Sequence, residues 1–167
     1  ANRTMGALGG IVASRIARAF DIGGPSFTLS SEESSGMRSF EAGMRALQRG
    51  EIDTAVVGAV DLAGDIRSLS AHNEALIGEG AAAIIMKRYE DAIRDGDRIY
   101  SVVKGLGAAS SKSSDLNTSY KKAIARSLDD ANVELDSIGL IEMCANRTTD
   151  NQIGETESIR DLLKDRA

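Results

Sequence analysis

Strand-like and helix-like segments alternate along this chain, which predicts an α/β layer fold with a mainly parallel sheet. Three observations carry that expectation. Continuous apolar runs of strand length occur at Thr54–Val60 and Ala81–Met86, the pattern of strands buried on both faces. Helical periodicity fills the intervals, most clearly over Leu116–Asn132. The composition is aliphatic, with 42% hydrophobic residues, only 4% aromatic ones and 17 glycines, as suits tight packing in such a sheet.

The elements follow in order. Gly6–Phe20 reads as a helix with Ile11, Val12, Ile16, Ala19 and Phe20 on one side. Gly23-Gly24-Pro25 ends it, and Ser26–Leu29 reads as a short strand. A second helix starts near Glu33 and runs to Arg49, with Met37, Phe40, Met44 and Leu47 at helical spacing and Gly50 as its stop. Thr54–Val60 is expected to be a buried parallel strand, and Ala81–Met86 another buried strand. Tyr89–Arg94 is a short helix stopped at Asp95-Gly96-Asp97. Ile99–Leu106 is a strand entering the Gly/Ser-rich turn 107–114. Leu116–Asn132 turns Ala123, Ile124, Leu128 and Ala131 inward and Lys121, Lys122, Arg126 and Asp129 outward. Ile138–Met143 is the next strand and Gln152–Leu163 the last helix. Met37, Met44 and Met86 read as core filler.

With 167 residues, one compact domain with a real core is within reach. The net charge of −5, with charges of both signs interspersed, argues against a nucleic-acid surface. No apolar run approaches the roughly 20 residues that cross a bilayer, and no signal peptide is expected. The single Cys144 cannot form an internal disulfide, which fits a reducing cytoplasm. No metal site is expected.

The segment from Gly24 to Gly36 carries the functional signal. An extended run enters a turn and a small-residue helix start leaves it, the way many enzymes present a nucleophile. At the tip stands an acid, Glu33. The framework of a covalent catalyst without its reactive atom points to a scaffold or regulatory subunit in an enzyme complex.

Four segments then resemble, in order, the β-ketoacyl synthase (condensing-enzyme) family of the thiolase fold. They are Ala13-Ser14-Arg15-Ile16-Ala17 with Gly24-Pro25-Ser26, then Ser30–Gly36, then Gly78-Glu79-Gly80-Ala81 through Lys87-Arg88 to Asp95-Gly96-Asp97-Arg98-Ile99, and finally Ile141-Glu142-Met143-Cys144. The resemblance spans nearly the whole chain and implies a layered αβαβα fold of which the chain is part: the end of one half and the start of the other. It further implies one ketosynthase-like domain over 1–167, with a family loop missing between Asn73 and Glu74.

Family members carry a Cys nucleophile in a Thr-Ala-Cys-Ser-Ser pattern, and that position falls on Glu33. Their catalytic His, in a Glu-Ala-His-Gly-Thr-Gly-Thr pattern, falls on Cys144. Condensation needs a thiolate activated at a helix N-terminus and imidazole donors for the enolate. A carboxylate is a poor acyl acceptor and a thiol a weak donor. The chain therefore looks like a chain length factor, a catalytically silent homologue that pairs with an active ketosynthase and shapes its acyl tunnel. Ser31-Glu32-Glu33-Ser34-Ser35 and Val60–Asp65 look most like the chain length factor domain of polyunsaturated fatty acid synthases. No cofactor is implied beyond phosphopantetheine arriving on acyl carrier protein, the second implied partner. Residues that gate chain length in such factors lie on a helix preceding Ala1.

Each feature also has a plainer reading. Glu33 in the first helical turn would favour the helix dipole and help cap exposed N–H groups. Its functional alternatives are mimicry of an oxyanion, a block on the acyl site, or decarboxylation as in related silent domains with Gln there, against which loss of the His argues. An active condensing enzyme is the rival class. Cys144 suits a buried small hydrophobe, and His72 a solvated loop. Ser26, Phe27, Thr28 and Leu29 would pair with their counterpart across a dimer, as the family strand does, or form an ordinary interior strand. Arg15, Arg18, Arg38 and Arg45 would attract an acidic carrier or merely solvate their helices. Residues 1–167 expressed alone are expected to aggregate, and a monodisperse monomer melting cooperatively in scanning calorimetry would contradict this.

Overall fold

A computed structural model describes residues 8–62, 79–110, 116–143 and 149–164. Two compact units are present, one ending at Ile99 and the other beginning at Tyr100.

In the first unit a 3-10 turn at Gly9–Ile11 leads into α1 (Val12–Ala19). Then come α2 (Ser35–Gln48), β1 (Thr54–Asp61), β2 (Gly80–Lys87) and α3 (Tyr89–Asp95). The expected parallel strand at Thr54–Val60 is corrected: β1 and β2 pair antiparallel, from Thr54 opposite Lys87 to Asp61 opposite Gly80. An apolar run reports burial, whereas direction follows from where the chain re-enters the sheet, here at the same end it left.

Side chains alternate across a strand, and the two faces of this pair differ. Ala55, Val57 and Ala59 face α2, where Ala55 is buried. Val56, Val60 and Ile85 point to the other face and are 50%, 61% and 75% exposed. The expectation of buried strands is therefore corrected: of β1 and β2 only Ala55 is buried among the described residues, and Ile84, opposite Val57 on the α2 side, is itself 45% exposed. Gly43 sets the contact distance with α2. A Cβ there would stand 2.8 Å from Met86 Cε and 2.9 Å from Val57 Cγ2. Gly36, two turns earlier on the same side, meets Ala59 in the same way. Met44 and Leu47 are buried as expected, but Met37 is exposed rather than core filler. Val12, Ile16 and Phe20 share a side of α1, and that side is exposed.

Arg88 binds this unit together. Its guanidinium donates to the carbonyls of Leu47 (3.2 Å) and Ile52 (2.7 Å) and to the carboxylates of Asp53 (2.5 Å) and Asp91 (2.6 Å). The Leu47 carbonyl lies in the last turn of α2, where intrahelical donors run out. Next to it, Lys87 donates to Asp95 and, at 2.7 Å, to Asp97. The Lys87-Arg88 and Asp95-Gly96-Asp97 motifs thus meet as one ion-pair network around α3.

The second unit packs α4 (Leu116–Ala131) against α5 (Thr149–Lys164), with a 3-10 turn at Leu135–Ser137 between them in sequence. Both helices match the expected positions. Asn132 takes the left-handed conformation just past α4 (φ 52), and Val133 N–H closes on the Leu128 carbonyl at 3.2 Å, a helix stop of the Schellman kind. Lys121, expected to point outward, instead reaches Asp161 on α5 at 2.6 Å. That hydrogen bond, aided by Asn117, holds the Asp161 carboxyl below its ordinary range. The 105–107 segment lies against α4, with Leu106 N–H donating to Asp130 Oδ2 at 2.9 Å.

The strands expected at Ser26–Leu29, Ile99–Leu106 and Ile138–Met143 are not hydrogen-bonded into a sheet among the described residues. Apolar patterning supplies a face, but a strand also needs a neighbour for its backbone groups. Tyr100 and Leu140 in these segments are 82% and 86% exposed.

Two outcomes follow. A Cβ at Gly107 would collide with the Ala123 carbonyl and Ser127 N–H, backbone atoms that cannot swing aside. Gly107→Ala should therefore cost about 3 kcal/mol by denaturant titration, against about 1 kcal/mol or less for Gly43→Ala, where helix propensity offsets part of the clash. The Asp95 carboxyl is drawn down from 3.8 to about 2 by its hydrogen bonds from Arg94, first, and Lys87. A folded value below the unfolded one gives stability that is present above 3.8 and lost as pH falls toward about 2. Melting temperatures across that window should fall less steeply in Asp95→Asn than in the parent.

Candidate functional site

The elbow is built from backbone and serine hydroxyls. The chain passes Gly24 (φ 88) and Pro25 and runs without helix or ladder to Ser30, with Thr28 Oγ1 donating to the Gly9 carbonyl at 3.2 Å. Glu32 then adopts φ 50, a left-handed conformation that costs a non-glycine residue about 1–2 kcal/mol. The turn holds it there. Ser34 N–H donates to the Ser31 carbonyl at 3.0 Å and Ser35 N–H to the Glu32 carbonyl at 3.1 Å. Ser35 Oγ donates to the same Glu32 carbonyl at 2.6 Å and accepts from Ser31 N–H at 2.8 Å. One hydroxyl therefore locks both sides of the turn.

Glu33 stands at the tip. It precedes Ser34, the cap residue of α2, and α2 has neither an acid in its first turn nor a side-chain cap. The helix-capping reading of Glu33 is thereby corrected: the turn ends before the helix begins and directs the side chain to solvent. The Glu33 side chain is exposed and makes no hydrogen bond or ion pair among the described residues, while its backbone forms an isolated bridge with Ser31. Such a carboxylate is solvated and a weak nucleophile.

The segment Ser26–Leu29 leads directly into this turn. Phe27 is 57% exposed and Leu29 half-buried. Cys144, His72 and the Asn73–Glu74 junction lie outside the described residues. Among the described residues no group of three or more His, Cys, Asp or Glu side chains is placed to hold a metal, and no helix is long and apolar enough to cross a membrane.

An open groove of about 420 Å³ runs beside the elbow. Leu29, Ser30 and Ser31 form one wall, and Arg38, Glu41, Ala42, Arg45 and Arg49 of α2 and its end form the other. Arg38 and Arg45 were legible as candidate anion-attracting residues. Arg49 joins them, and its signal was the spacing of 38, 45 and 49 along one helical ridge. Arg15 and Arg18 are exposed on α1, apart from this group. In the second unit a groove of about 440 Å³ is lined by Met143, Thr156, Ile159, Arg160, Leu163 and Lys164.

Comparison with known proteins agrees with this architecture. Residues 1–76 match the family described as β-ketoacyl synthase, N-terminal domain. "Probable polyketide synthase 17" of Dictyostelium discoideum is 30% identical over 188 residues, covering 97% of this chain and 7% of that protein. The ketosynthase from module 6 of the bacillaene synthase of Bacillus subtilis 168 superposes with a TM-score of 0.82 at 24% identity, over 94% of this chain and 33% of that one. The ishigamide ketosynthase/chain length factor superposes at 0.78 with 19% identity, over 90% and 43%. The chain thus spans a small part of its curated relative and less than half of each of these structures. Together the matches place the chain in the β-ketoacyl synthase family, as part of a ketosynthase domain of thiolase-like fold.

Proposed function

We propose that this chain is part of a catalytically silent ketosynthase-like subunit, a chain length factor, that pairs with an active β-ketoacyl synthase and shapes its acyl tunnel. Polyunsaturated fatty acid or polyketide synthesis is the setting, with substrates delivered on acyl carrier protein. The carrying observation is Glu33 at the tip of an intact elbow, solvent-exposed and unpartnered among the described residues. Acyl transfer from a thioester to a carboxylate would give a mixed anhydride, more reactive than the thioester it came from. A thiolate at a helix start gives a thioester of matched energy, because the helix end stabilises the anion before attack. The turn offers geometry without that chemistry.

Cys144 at the position of the family's histidine supports the same reading from the sequence, since a thiol cannot replace an imidazole N–H opposite an enolate. Partner choice draws on the Ser26–Leu29 segment, which is exposed up to the half-buried Leu29 and belongs to no ladder among the described residues. Such a segment suits strand addition by a second subunit, with Phe27 and Leu29 on one side and Ser26 and Thr28 on the other.

Incubation of the intact protein with malonyl-loaded carrier protein tests the proposal. No carbon dioxide release and no mass increase on the protein are expected. Glu33→Cys, made in a Cys144→Ser background, should become acylated by a fatty acyl thioester within the same time, read by intact mass. Carbon dioxide release by the parent protein would establish a decarboxylase instead, and acyl loading of the parent would establish a transferase.

A further inference from the structure

We infer that Ser35 is the positioning residue of the elbow: its hydroxyl sets the direction of the peptide plane between Glu32 and Glu33, and with it what a group at position 33 can react with. The inference rests on residue 33 standing at the nucleophile position of the elbow, and it goes beyond the silence of Glu33 itself.

The hydroxyl reaches backwards along the chain. Ser34 holds the cap position of α2 without a side-chain cap bond, so the helix start is not closed in the usual way. Ser35 Oγ instead accepts from Ser31 N–H at 2.8 Å, four residues earlier, and donates to the Glu32 carbonyl at 2.6 Å. A hydroxyl does both from one atom, whereas a methyl group does neither. The base from which it reaches is fixed. Its neighbour Gly36 lies so close to β1 that a Cβ there would stand 3.0 Å from Ala59 Cβ. Ser39, one turn on, gives the contrast: its hydroxyl donates to the Ser35 carbonyl at 3.0 Å, a bond that stays within the helix.

The consequence falls on residue 33. Glu32 is held at φ 50, an unfavourable conformation for a residue with a Cβ, and the two bonds of the hydroxyl offset that cost. The Glu32 carbonyl accepts from Ser35 Oγ and, at 3.1 Å, from Ser35 N–H. Both donors draw it toward the helix start. A planar trans peptide carries its N–H on the side opposite its carbonyl, so Glu33 N–H is turned away from the helix start. Negative charge forming on a group borne by residue 33 then meets an N–H rather than a carbonyl oxygen. Without the hydroxyl, Ser31 N–H loses its acceptor and the Glu32 carbonyl keeps one donor of two. The plane is then free to rotate and bring the carbonyl toward the tip.

Acyl transfer to the intact protein tests the inference, in the background Glu33→Cys with Cys144→Ser. Adding Ser35→Ala should slow acylation by a fatty acyl thioester about tenfold, read by intact mass. Alkylation of the introduced thiol by iodoacetamide needs no oriented N–H. At a pH where that thiol is ionised, its rate should change by less than about twofold. Ser35→Thr should keep acylation fast, and Ser39→Ala should leave it unchanged. With Glu33 in place, Ser35→Ala should speed hydrogen exchange of the Ser31 amide about tenfold, by nuclear magnetic resonance. The amides of the buried Met44 and Leu47 should keep their protection. Equal slowing of acylation and alkylation, slow acylation in Ser35→Thr, or unchanged exchange at Ser31 would overturn the inference. No acylation even with Ser35 intact would instead sink the placement of a nucleophile at position 33, and the Ser31 exchange rate would still decide what the hydroxyl does.

Discussion

The closeness of α2 to β1 is the constraint on which the first unit depends. Gly43 and Gly36 lie two helical turns apart on the side of α2 that meets Ala55, Val57 and Ala59. Without Cβ atoms there, the helix axis sits nearer the sheet than ordinary side chains allow, and Met86 closes over the contact from β2. Close-packed apolar atoms of this kind resist displacement because a small gap forfeits much of their dispersion energy. At the far end of the helix, Arg88 takes the Leu47 carbonyl and joins it to Ile52 and Asp53 at the start of β1. Both ends of α2 are therefore referenced to the sheet, one by shape and the other by hydrogen bonds. The elbow at its N-terminus inherits that fixed position.

The sequence made much of this legible, for physical reasons that differ by element. Leu116–Asn132 was readable because its period and its stop agree. Apolar residues recur every three to four positions, and Asn132, which tolerates the left-handed conformation, follows the last turn. The elbow was readable because Pro25, a run of small residues and a helix start each restrict the backbone in the same place. Strand direction was not readable. Ala55–Val60 and Ala81–Met86 carry no polar side chain, and such a run bears no mark of the neighbour's orientation. The exposed face of Val56, Val60 and Ile85 was invisible for the same reason, because a run that expects two covered faces cannot name what covers either. The start of α2 was not readable either, for it lies two residues beyond Glu33. Helix onset was read from composition, whereas the Ser31–Ser35 hydrogen bonds postpone it to Ser35.

The ion-pair network around α3 gives motifs known from resemblance a mechanical meaning. Lys87 and Arg88 end β2, and Asp91, Arg94, Asp95 and Asp97 lie on α3 or just past it. Exposed pairs contribute little singly. Here they share partners: Asp91 bridges Arg88 and Arg94, and Lys87 bridges Asp95 and Asp97. Shared partners hold each side chain in one rotamer for several contacts, so the entropy of ordering is spread over more than one bond. The short helix α3, only seven residues long, would be marginal by propensity alone. The network and the burial of Ala92 give it a place.

One further step connects the elbow's construction with its chemistry. Every hydrogen bond that shapes the turn comes from a backbone group or from Ser35 Oγ, and none from the side chain of residue 33. The left-handed conformation falls on Glu32, so residue 33 also escapes the steric selection that favours glycine or asparagine. Position 33 is thus structurally indifferent: the fold constrains where its side chain begins but not what it bears. A thiol could be exchanged there for a carboxylate without loss of the turn, the helix start or the α2–β1 contact. That separation of scaffold from reactive atom leaves the shape of the elbow independent of the group that residue 33 carries.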